Sequence, residues 1–221
     1  MKATDRREAI IESVIPVFAE YGLHGASTRR LAEAAGVSEA LIYRHFPSKA
    51  ALFHAITLQH LQRTAPDPAL ERLRAMPSGP RRLVLAVRHL VQQLVAGDAL
   101  WARMVATSFA TDGAAARQDA AAFQAEYLSI IRLSLQAARR KKSAKGGSGN
   151  RLVVDAWLVQ HLALACRLMT LPASPVVDYG MRDSQRIEAI VQFALLGLGL
   201  RRSEIKRHNT PAAYKSLLAD Q

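Results

Sequence analysis

Residues 27–49 read STRRLAEAAGVSEALIYRHFPSK, and no other stretch limits the fold as tightly. The spacing predicts two short helices joined by a tight turn. Thr28 to Ala35 forms the first, with Ser27 or Thr28 placed to cap its open N–H groups. Gly36 supplies the left-handed residue that ends it, since glycine has no Cβ to clash. Ser38 caps the next helix, and Glu39 at its first position suits the positive end of the helix dipole. Leu31, Ala35, Val37, Ile42 and Phe46 can then meet inside the corner.

Helix, three-residue turn with glycine, helix is the arrangement that sets a second helix into a DNA major groove. Ile42 and Phe46 are four apart and share the inward face. Ala40 and Arg44 then lie nearly opposite, with Leu41 and Tyr43 on the flanks. A helix that only solvates itself more often shows Lys, Glu or Gln on that side. This face is built to meet something.

The pattern T-x-x-L-A-x-x-A-G-V-S, followed by I-Y-x-H-F-x-S-K-x-x-L, resembles the TetR family of bacterial transcriptional regulators, over about Arg6 to Leu58. Ala40 stands where the family often has glycine and Ile42 where it usually has leucine; neither removes a polar contact. The resemblance implies an all-α chain, with an N-terminal three-helix helix-turn-helix domain and a larger helical regulatory and dimerisation domain. The first would span residues 1–64, including a connecting fourth helix, and the second residues 65–221. It implies a ligand-responsive regulator, a repressor before an activator, that binds a palindromic operator as a homodimer through the helix at 38–46. DNA contact carries over onto Thr28, Arg29, Ser38, Glu39, Ala40, Leu41, Tyr43, Arg44, His45 and Lys49. By their chemistry Thr28, Tyr43, His45 and Lys49 suit phosphates, which position the protein. Arg29 and Arg44 suit guanine, Glu39 cytosine, and Ala40 and Leu41 thymine methyls. An effector pocket is implied in the second part, with Trp101, Met104, Phe109, Phe123, Tyr127, Trp157 and His161 as candidate lining. Aromatics and methionine at this spacing are more often plain core.

The rest of the chain reads as helices. Asp5 to Tyr21 carries an apolar stripe through Ile10, Val14, Phe18 and Tyr21, with Thr4 or Asp5 as cap, Gly22 as stop and Pro16 in conflict with the pattern. Ser48 caps a fourth helix that ends near Thr64. A short helix at Ala69 to Ala75 precedes Arg82 to Ala96, Ala99 to Ala110 and one long helix from Ala114 to Lys142. SAKGGSGN at 143–150 is a flexible loop by composition. Arg151 to Leu171 and Ser184 to Leu200 are apolar on more than one face, and Gly197 and Gly199 admit a close neighbour. In the family such a pair of helices forms the homodimer, as a palindromic site requires. Residues 201–221 read as a polar tail.

The net charge of +12 does not by itself point to the corner, because residues 1–60 hold seven Lys/Arg against six Asp/Glu. Part of the excess is a cluster, Arg139, Arg140, Lys141, Lys142, Lys145 and Arg151, which reads mostly as a solvated run. No apolar run suits a membrane span, the N-terminus carries acids where a leader peptide is apolar, and one cysteine suits a reducing cytoplasm. No cofactor, metal or catalytic set is expected. His161 and Cys166 are five apart on different helix faces, and His45, His54 and His60 have no cysteine at metal spacing.

Overall fold

The computed structural model describes residues 3–64, 67–111, 113–141 and 149–219. These residues are all-α, with no strand among them. α1 (Ala3–Gly25) starts before the expected cap, so Asp5 lies in its first turn, and it runs on through Pro16. The interruption comes at Gly22, whose backbone turns to φ 67° and ψ −179°. There the Ala19 carbonyl accepts from Thr107 Oγ1 at 2.8 Å, and a Cβ on Gly22 would meet Thr107 Cγ2 at 3.3 Å. Both the positive φ and the close approach require glycine.

α2 (Thr28–Ala35), α3 (Glu39–His45) and α4 (Lys49–Thr64) follow as expected, with Ser48 Oγ accepting from the Ala51 N–H. Next come α5 (Pro68–Ala75), α6 (Pro80–Ala96), α7 (Ala99–Phe109) and α8 (Ala114–Phe123). The expected single helix from Ala114 to Lys142 is broken instead by a π-helical turn at Gln124–Leu128, after which α9 runs Ser129–Arg140. The wider turn buries Tyr127 with its ring parallel to Phe123 at 6.3 Å. Residues 142–148, with Lys142, Lys145 and most of the expected loop, lie outside the described residues, as do Lys2 and Asp112. α10 (Gly149–Leu168) and α11 (Asp183–Gly197) stop earlier than expected. The tail is not a polar strand of coil but two helices, α12 (Arg202–His208) and α13 (Pro211–Leu218). Thr210 caps the last by accepting from the Ala213 N–H at 3.1 Å.

The helices form two compact units, Met1–Pro66 with Asp98–Ala120 and Asp67–Gly97 with Ala121–Gln221. A cut between residues 64 and 65 would separate α7 from α1, yet α7 packs on α1 more than any other helix does. In the first unit Phe18 meets Phe53 edge-on at 5.3 Å, and Phe18, Leu31 and Leu52 are fully buried. Each such side chain contributes on the order of 2 kcal/mol. In the second unit α6 is the axle, packed by α9, α10, α11 and α12. His89 on α6 is 1% exposed and lies between Asp67 Oδ2 at 2.6 Å and Tyr214 Oη at 3.2 Å. Arg72 Nη1 donates to the Leu217 carbonyl at 2.6 Å, and Leu217 and Ile205 are buried. These contacts fold the basic tail back onto the core.

Candidate nucleic-acid interface

The corner forms as its caps dictate. Ser27 Oγ accepts from the Arg30 N–H at 3.3 Å and Ser38 Oγ from the Leu41 N–H at 3.2 Å. Gly36 takes φ 63°, and the N–H groups of Gly36 and Val37 close on Glu33 and Ala32 carbonyls. Leu31, Ile42 and Phe46 are buried, with Ala35 and Val37 half-buried at the edge.

That packing turns one face of α3 outward. Ser38, Glu39, Ala40, Tyr43 and Arg44 are exposed, with Leu41 and His45 half-buried beside them. Tyr43 is 48% exposed, yet its hydroxyl sits 3.0 Å from Thr28 Oγ1. The bond joins α3 to the N-terminus of α2 and gathers two hydroxyls where open N–H groups favour an anion. Arg29 donates Nε to Glu33 at 2.9 Å, with both side chains well exposed. Such an exposed surface pair contributes little, so the Arg29 guanidinium is held only weakly. Arg30 lies 4.3 Å over the Tyr21 ring.

Lys49 is already engaged within the fold. Its ammonium donates to the His24 carbonyl at 3.1 Å and to the Ala26 carbonyl at 2.8 Å. Two of three donors are thus spent on the turn between α1 and α2, and at most one is left for a phosphate. A sequence shows the charge of a lysine but not where its donors go.

The effector candidates divide between the two units. In the first unit Met104 is buried and Trp101 half-buried, and both line an open cleft of about 340 Å³. Trp101 stacks on His60 at 4.1 Å and donates Nε1 to Asp119 at 3.3 Å. Phe109 stands 62% exposed at the end of α7. In the second unit Phe123 packs on Trp157 at 4.6 Å, and His161 stacks on the same indole at 5.7 Å from an exposed position. Tyr127 is buried beside Phe123, and burial drives its hydroxyl pKa far above the usual range. Gln59, His60 and Asp98 also line the cleft and were not anticipated. Only the tertiary packing of the first unit brings them together, and no local pattern announces it. Among the described residues no group of three His, Cys, Asp or Glu is placed to hold a metal ion.

Residues 10–56 match the model of the bacterial regulatory proteins of the tetR family. The transcriptional repressor AcnR of Corynebacterium glutamicum is 38% identical over 85 residues, 37% of this chain and 45% of that protein. The tetracycline repressor class C of Escherichia coli is 36% identical over 90 residues, 38% of this chain and 41% of that protein. The chain thus matches less than half the length of these curated relatives. The fold is shared more widely. AibR, solved with isovaleryl coenzyme A and operator DNA, superposes with a TM-score of 0.63 at 20% identity, over 85% of this chain and 97% of that one. NalD, the secondary repressor of a multidrug efflux pump in Pseudomonas aeruginosa, does so with 0.63 at 22% identity, over 90% and 98%. With the corner formed as described and the family's model matched on it, residues 10–56 are similar to the DNA-binding part of the bacterial regulatory proteins of the tetR family.

Proposed function

We propose that the protein is a ligand-responsive transcriptional repressor of the cytoplasm that binds a palindromic operator as a homodimer. The observation that carries this is the outward face of α3, with Tyr43 fixed by Thr28 and Arg44 exposed beside it. Arg44 and Arg29 would read guanine, Glu39 cytosine and Ala40 with Leu41 thymine methyls, while Thr28, Tyr43, Ser38 and His45 would hold phosphates. Residues 1–64 would serve DNA binding and residues 65–221 regulation and pairing. Relatives named as repressors, and a structural neighbour solved with both operator DNA and a small molecule, support the same assignment.

Two exposed stripes support pairing. On α10, Val154, Leu158, His161 and Ala165 repeat at helical spacing, with Val154 and Leu158 about half exposed. On α11, Ala189, Phe193 and Gly197 do the same, and Phe193 is 69% exposed. A second copy covering both would bury them in a four-helix arrangement. The basic cluster offers weaker support for a protein that coats DNA without preference. Arg139 and Arg151 both pair with Asp155, at 2.8 and 2.7 Å, so part of that charge is already answered.

The test is selection from random duplexes at about 150 mM salt, where non-specific binding is weak. An inverted repeat enriched by the wild type and lost with Tyr43→Ala supports the assignment. Equal binding of all duplexes by both proteins overturns it.

A further inference from the structure

We propose that the cleft between α1, α4 and α7 binds a small protonated amine bearing one apolar group, and that this amine is the effector; the second clause rests on the repressor assignment above. The cleft lies wholly within the first unit. Ile15, Ile56 and Met104 give it an apolar floor. Gln59, His60, Asp98 and Trp101 supply its polar and aromatic walls. The cleft is shallow and open to solvent, so it would seat one small apolar group and leave the rest of a ligand at the surface.

The charge of the wall selects the ligand. Asp98 is the one acid among the lining residues, and no Lys or Arg is among them. Its Oδ1 accepts from the Leu100 and Trp101 N–H groups, which fixes the carboxylate, and its Oδ2 lies 4.0 Å from His60 Nδ1. The side chain is 55% exposed, so the negative charge stands at the mouth. Gln59 is also a lining residue, and its buried Oε1 finds no donor among the described residues. An exposed carboxylate and an acceptor without a donor both call for a ligand that donates N–H and carries positive charge. A carboxylate or phosphate ligand would meet repulsion and find few donors.

The position also gives the ligand something to move. Ile56, Gln59 and His60 lie on α4, whose first residue Lys49 holds the turn between α1 and α2. Phe53 on α4 and Phe18 on α1 pack edge-on between the cleft and the corner. A guest that contacts α1, α4 and α7 together favours one spacing of these helices, and through it one setting of α2 and α3.

Calorimetric titration of the full-length wild type with benzylammonium and phenethylammonium chloride tests the site, with benzyl alcohol and benzoate as neutral and anionic counterparts. A parallel titration follows Trp101 fluorescence in Trp157→Phe, where it is the one indole left of the two. Saturable binding of the amines, absent with benzoate and weakened about tenfold in Asp98→Asn, is expected. Asparagine keeps the cap of α7, so a loss there reports the charge. No saturable binding below about 10 mM, equal binding of benzyl alcohol, or unchanged binding to Asp98→Asn overturns the site. The effector role is read separately, as release of a selected duplex by the amine from the wild type and not from Asp98→Asn. Binding without release overturns that role alone. A protein that selects no duplex loses the repressor assignment, while calorimetry still decides the cleft.

Discussion

Replacing Lys49 with methionine separates a lysine that holds the fold from one that holds DNA. The substitution keeps the apolar stem and removes the ammonium, leaving the His24 and Ala26 carbonyls without their donor. A hydrogen bond from a charged group contributes about 1.5–3 kcal/mol, and an exposed one much less. Taking the low end for the half-buried bond to Ala26, and about 0.5 kcal/mol for the exposed bond to His24, gives a loss of about 2 kcal/mol. For a chain of 221 residues that corresponds to about 4–8 °C in the midpoint of thermal unfolding. The assay is unfolding followed through Trp101, which reports the first unit, in a Trp157→Phe background. Duplex binding is measured in parallel across a salt series. The midpoint should fall while the slope of log affinity against log salt stays as in the parent. An unchanged midpoint with a slope shallower by about 0.9, the mark of one lost phosphate contact, would refute the clasp.

Gly197→Leu should abolish pairing without loosening the protomer, since nothing lies within 4 Å of a Cβ at that position. Light scattering should then give the protomer mass, and a retained dimer would place the interface elsewhere. Glu126 should make stability depend on pH. Burial holds its carboxyl above the usual range, so the folded state keeps the proton longer than the unfolded one, and stability falls as pH rises past about 4.5. Glu126→Gln should therefore raise the urea midpoint at pH 7 and leave it unchanged below about pH 4; an equal gain at both values would assign the effect to packing. Leu217→Ala should cost about 3 kcal/mol, read through Trp157, because the side chain is 3% exposed under the returned tail. A loss under about 0.5 kcal/mol would mean that α13 is a loose appendage.

The corner was legible because each part of it is local. Ser27, Gly36 and Ser38 act within four residues of themselves, and the inward face of α3 follows from the spacing of Ile42 and Phe46. What escaped the sequence depends on partners far along the chain. Residues 201–221 look like a basic tail until Leu217 meets Arg72, 145 residues away, and Tyr214 meets His89, 125 residues away. The π turn shows no glycine or proline in QAEYL, so it follows from how Tyr127 is buried and not from a local signal. That the effector candidates divide between two units was hidden for a similar reason. Periodicity finds apolar faces, but it does not say that Trp101 and Trp157 belong to different units.

Asp155 has a practical consequence for handling the molecule. It is 5% exposed, and it binds Arg139 near the end of α9 and Arg151 at the start of α10. The two helices are therefore riveted together at the root of the segment 142–148, whatever length of chain spans the gap. Lengthening a connection costs slowly, about 0.6 kcal/mol for each doubling, which is less than a buried, hydrogen-bonded ion pair can withstand. An affinity tag or a dye-bearing peptide spliced into that segment should ride on the riveted pair without separating α9 from α10.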